Sequence, residues 1–100
     1  MKNRRELFVE WDFPHIQHHG VTLVARNDWD ACVKKILTEG CQFYGYDAFR
    51  LFEDGSIQPS MEWSGSWPES KVPTFDGIFD QLAGITPDIT HIEFEFSKTV

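Results

Sequence analysis

At 100 residues the chain has room for one domain, spanning 1–100, with a single core and no second lobe to close over a large substrate. Hydrophobic residues make up 41% of it and fifteen per cent is aromatic, enough apolar surface to offset ordering entropy, so intrinsic disorder is excluded. A net charge of −7 disfavours direct contact with nucleic acid or an anionic membrane and favours a basic protein partner.

The basic start Lys2-Asn3-Arg4-Arg5 is not followed by an apolar run of signal-peptide length before Glu10 and Asp12. No stretch approaches the roughly 20 apolar residues of a membrane span. A cytoplasmic protein without membrane attachment is therefore expected, and its two cysteines, Cys32 and Cys41, fit that compartment as reduced thiols. On one helix they lie about 13 Å apart, beyond the reach of a disulfide.

The first element expected is a strand, because Leu7, Val9, Trp11 and Phe13 alternate with Phe8, Glu10 and Asp12. Pro14–Gly20 reads as a loop, and the β-branched and apolar run Val21–Arg26 as a second strand. A helix follows, with Asn27 as N-cap, Gly40 as stop, and Trp29, Cys32, Val33, Ile36 and Leu37 at helical spacing as its buried stripe. Gln42–Glu53 is apolar on both faces and is predicted to be an internal strand. Asp54-Gly55 is a hairpin signal, and a two-residue turn there sets Phe52 opposite Ile57 and Asp47 opposite Glu62. Pro59 puts the returning strand at an edge or a bulge. After a Ser-, Gly- and Pro-rich loop from Trp63 to Pro73, Phe75, Ile78, Phe79 and Leu82 predict a short helix opened by Pro73 or Thr74 and closed by Gly84. The last strand alternates Ile92, Phe94 and Phe96 with His91, Glu93 and Glu95.

The expected fold class is thus α+β: a first strand followed by β-α-β-β-α-β, an antiparallel sheet of about five strands with two helices on one face, the ferredoxin-like arrangement. The face away from the helices is then free to bind, with carboxylates at alternate strand positions.

The charge is uneven. Residues 1–50 balance seven acids with seven bases, whereas residues 51–100 hold nine acids against Lys71 and Lys98. The stretch from Met61 to Glu69 sets Trp63 and Trp67 around a flexible Ser-Gly-Ser with Glu62 and Glu69 outside them. Tryptophans framed by carboxylates suit a hot spot for a cationic protein surface. The candidate partner-binding residues are Trp63 and Trp67 as anchors, with Glu62, Glu69, Asp47, Glu53 and Asp54 as counter-charges; the bland alternatives are core indoles and a solvated acidic face.

His15, His18 and His19 share one loop and are weak candidates for a metal with His91 or Cys41 as a further ligand, although loop histidines are commonly just solvated. His91, Glu93 and Glu95 on one strand face, with Glu10 and Asp12 showing the same alternation, offer acid-base chemistry or merely a solvent face. No Gly-rich phosphate loop, nucleophile elbow, His-Glu-x-x-His helix or Cys-x-x-Cys pair is present, so neither an enzyme nor a cofactor is expected.

The leading expectation is an acidic inhibitor, with the physical profile of bacterial immunity (antitoxin-like) proteins or phage-encoded inhibitors, that occludes a basic site on a toxin such as a nuclease or on another nucleic-acid-binding effector. A small metal-dependent or acid-base enzyme using His91, Glu93, Glu95 and the loop histidines is the first alternative. A small-ligand or regulatory domain dimerising through the open sheet face is the second.

Overall fold

A computed structural model describes residues 3–67 and 74–98. The elements run α1 (Arg4–Glu10), β1 (Ile16–His18), β2 (Val21–Ala25), a 3-10 turn (Arg26–Asp28), α2 (Trp29–Thr38), β3 (Gln42–Leu51), β4 (Ile57–Ser66), α3 (Phe75–Ala83) and β5 (His91–Ser97). The fold is α+β, with one antiparallel sheet ordered β1-β2-β5-β3-β4.

The expected first strand is a helix instead. Asn3 caps α1 by accepting from the Glu6 amide at 2.9 Å, while the Glu6 side chain accepts from the Asn3 amide, a reciprocal capping box. At the other end Asp12 takes a left-handed φ of 53°, and the amides of Asp12 and Phe13 turn back to Val9 and Phe8. Phe13 then packs on Phe8 with centroids 5.7 Å apart, the apolar contact that accompanies this helix end. Leu7 and Phe8 are buried as neighbours and Val9 is exposed, which no strand facing one core can do. Glu10 and Asp12 accordingly lie at a helix end and its turn, and they do not extend an acidic strand face.

The segment expected as a loop carries β1. Its hairpin with β2 closes through His19 and Gly20, both at positive φ, with His18 opposite Val21. That is the geometry of a two-residue type I′ turn, with histidine where asparagine or aspartate is usual. Asn27 lies within the 3-10 turn ahead of α2, and Asp28 is the N-cap position. The stripe Trp29, Cys32, Val33 and Ile36 is buried as expected, and Gly40 ends the helix at φ 74°. Thr74 caps α3 by accepting from the Gly77 amide, and Pro73 lies outside the described residues.

The ferredoxin-like arrangement is not confirmed. In that fold the strand inserted between the two halves of the split β-α-β is the hairpin partner; here β5 lies between β2 and β3, and β4 is on the edge. β3 is internal, as expected, while β5 holds the centre. Ile92, Phe94 and Phe96 of β5 join Phe43, Tyr46 and Ala48 of β3 in an apolar cluster with the buried residues of all three helices. His91, Glu93 and Glu95 therefore face away from it.

The β3–β4 register also departs from expectation. Phe52 and Ser56 bracket a turn in which the Gly55 amide bonds to the Phe52 carbonyl and Gly55 has φ 87°, so the loop has three residues and Leu51, not Phe52, faces Ile57. Between Phe49↔Pro59 and Asp47↔Ser64 the ladder slips, so Asp47 is not paired with Glu62.

Candidate functional site: a carboxylate trio on the sheet

β5 pairs with β2 only at Ile92 and His91, so its edge beyond Ile92 is free on that side. α1 packs there: Nη1 of Arg4 donates to the Phe94 carbonyl at 3.0 Å, and Trp11 stacks on Phe96 at 5.9 Å. On the other side β3 sets Asp47 opposite Glu93 and Gly45 opposite Glu95.

Alternation along β5 and this register bring Asp47, Glu93 and Glu95 together on the face away from the apolar cluster. One carboxylate oxygen from each lies within 4.8 Å of the others. Asp47 and Glu93 are half-buried and Glu95 is exposed. The Arg4 guanidinium approaches from α1, with Nη2 at 3.8 Å from Glu93 Oε2. Partial burial pushes the Glu95 carboxyl above the usual carboxylate range, and a hydrogen bond with Asp47 and the nearby negative charges of Asp47 and Glu93 act in the same direction. Arg4 pulls the other way.

Among the described residues singled out in the sequence, Asp47, Glu93 and Glu95 converge and the rest are dispersed. Glu53 and Asp54 are exposed in the β3–β4 turn, six or more residues along β3 from Asp47, or about 20 Å at ~3.3 Å per residue. Asp54 is held below the usual carboxylate range by the Ser56 hydroxyl and amide. Glu62 is exposed on β4, and Glu69 lies outside the described residues. The two tryptophans are half-buried and both pack on the core. Trp63 donates its indole N–H to Thr86 Oγ1 at 3.2 Å, and Trp67 lies against Phe43 and Tyr46. Part of each indole is thus spent on internal packing.

The histidines are not drawn into one ligand set. The His15 ring stacks on Phe8 and its Nδ1 contacts the Phe13 carbonyl. His18 reaches across to the Gly55 carbonyl through Nε2, joining the β1–β2 end to the β3–β4 turn, and His19 lies edge-on to His18. His91, on the face of the trio, is buried beside Thr90, whose hydroxyl contacts its Nδ1 at 2.8 Å. Burial lowers its pKa and so favours the neutral ring.

Two contributors escaped the sequence reading. Arg4 belongs to the basic start ahead of the expected strand from Leu7 and carries no functional signal there, although Asn3-x-x-Glu6 ahead of Leu7 is a readable capping box. The approach of Asp47 to Glu93 and Glu95 has no local signal, because it depends on which strands become neighbours. No family model matches this chain, and comparison with curated proteins and with solved structures finds no match.

Proposed function

We propose that this chain is an acidic protein-binding module of the inhibitor or immunity (antitoxin-like) kind, which occludes a basic site on a partner such as a nuclease or another nucleic-acid-binding effector. The observation that carries this reading is the trio itself: three carboxylates within 4.8 Å, with one guanidinium beside them, on the face opposite the apolar cluster. Opposed like charges on neighbouring strands weaken a sheet. A cationic side chain from a partner relieves that repulsion, so folding retains strain that binding removes. The net charge of −7 adds long-range attraction for the same class of partner. Trp63 and Trp67 pack against the apolar cluster on the other side of the sheet, so they do not serve as anchors for this surface.

The test is capture of a basic partner from extract of the native host, followed by association kinetics with the purified pair. Asp47→Asn, Glu93→Gln and Glu95→Gln combined is expected to slow association and weaken binding at least tenfold, and salt is expected to slow the native association steeply. Unchanged affinity in the triple variant, or a salt-independent on-rate, refutes the reading.

The same trio favours a second reading, a small metal-dependent enzyme, since three carboxylate oxygens suit a hard divalent cation. The loop histidines have no part in it. A calcium- or magnesium-dependent rise in melting temperature, abolished by the triple variant, promotes this reading; melting that ignores both ions removes it.

A further inference from the structure

Resting on the protein-binding reading, we propose that Arg4 is a built-in competitor for the acidic trio: α1 lays its guanidinium beside the carboxylates that a partner's cationic side chain would engage, and a partner must displace it.

The contact is independent of the trio's own geometry. It arises because β2 leaves β5 after Ile92, which exposes a strand edge that α1 covers. Arg4 is fastened there by one bond to the Phe94 carbonyl, while its 3.8 Å approach to Glu93 is longer than a charge-assisted hydrogen bond. The cation is therefore placed over the acids without being locked to them. About a third of its side chain is exposed, against 16% for Glu93, so the guanidinium can leave by rotation while the more deeply placed carboxylate stays. The helix itself is anchored by Leu7 and Phe8, both in the core, and does not have to unfold for Arg4 to move. Arg4 also opposes the upward shift of Glu95, so its influence covers both acids of β5. An incoming arginine that makes bidentate bonds to one of these carboxylates replaces a long contact with short ones. Occupancy by Arg4 lowers apparent affinity by the fraction of molecules in which the trio is covered.

A fluorescent hexa-arginine peptide at low ionic strength is a suitable probe, titrated into the native chain, Arg4→Gln, Arg4→Lys, Arg5→Gln and the triple carboxylate variant. Arg5→Gln matches the charge change of Arg4→Gln on the same helix, so it subtracts the general electrostatic gain. The expected result is that Arg4→Gln binds about 2- to 5-fold more tightly than both the native chain and Arg5→Gln. Arg4→Lys, which keeps the charge and loses the planar fork, falls between. Equal gains in Arg4→Gln and Arg5→Gln overturn the competitor role while the protein-binding reading stands, provided that the triple variant binds more weakly. A triple variant that binds the peptide as well as the native chain overturns the reading beneath it, and no binding by any of the proteins overturns both. Circular dichroism and melting of Arg4→Gln close to the native chain confirm that a gain comes from the site and not from a loosened fold.

Discussion

Asp47 of β3 stands directly opposite Glu93 of β5, and Glu95, the next residue on the same face of β5, brings a carboxylate oxygen within 4.8 Å of both. Two neighbouring strands thus hold three acids together at the centre of the sheet, where ladder pairing leaves them little room to separate.

This arrangement predicts a stability gain from neutralising Glu95. Its folded pKa is raised, so the folded chain holds that proton more tightly than the unfolded chain. The stabilisation is complete at pH below the unfolded pKa and is lost as pH rises through the folded value. Glu95→Gln is expected to raise the melting temperature by a few degrees at pH 7, in line with roughly 0.2–1 kcal/mol for like charges on neighbouring strands, and to change it less at pH 4. Melting at the two pH values checks this; a loss of stability at pH 7 contradicts it.

His91 acts in the opposite direction. Burial depresses its folded pKa, so the unfolded chain takes up the proton first and stability falls as pH drops from the usual histidine range through the folded value. Urea midpoints between pH 7 and pH 5 are expected to decline for the native chain and to decline less for His91→Gln. Parallel curves for the two proteins speak against the buried neutral imidazole.

Arg26 should be among the costliest polar residues to lose. Its guanidinium donates to the carbonyls of Ile85, Thr86 and Ile89 at 2.5–2.9 Å and lies 4.7 Å from the Trp29 ring centroid. It thereby fastens the connection between α3 and β5 to the start of α2. Arg26→Ala is expected to cost about 2–3 kcal/mol, or roughly 10–20 °C in melting temperature. Arg26→Lys recovers little, because a single ammonium lacks the two separate Nη groups that reach these carbonyls. A melting temperature within two or three degrees of native for Arg26→Ala would show that water replaces those bonds freely.

The thiols should be silent in the folded chain. Cys32 and Cys41 are buried, and desolvation pushes both above the usual cysteine range, with Asp28 adding to the effect at Cys32 and Lys98 offsetting part of it at Cys41. Ellman's reagent at pH 8 is expected to react slowly with the native protein and to release two thiols promptly in guanidinium chloride. Prompt native labelling of Cys32 would contradict its place at the centre of the core.

Local sequence determined the elements whose signals agree. The α2 stripe ends at Gly40, the α3 apolar spacing begins at Thr74, and the β5 alternation separates Phe94 from Glu93; all three are as read, because periodicity and caps act within a few residues. The segment around Leu7 satisfied two patterns at once, and the Asn3–Glu6 box with the left-handed Asp12 decided for helix once Phe8 had Phe13 and Phe96 to pack on. The β3–β4 turn shows the same limit, since one extra loop residue moves every later pairing while Asp-Gly remains unchanged in the sequence. Composition alone established that the chain is acidic and that the excess lies in its second half. Where that charge is concentrated was decided by strand order: Asp47 meets Glu93 and Glu95 because β5 inserts beside β3, and Arg4 reaches them because β2 leaves that edge open. Such long-range pairings are chosen by how the whole core packs, and no window of neighbouring residues contains them.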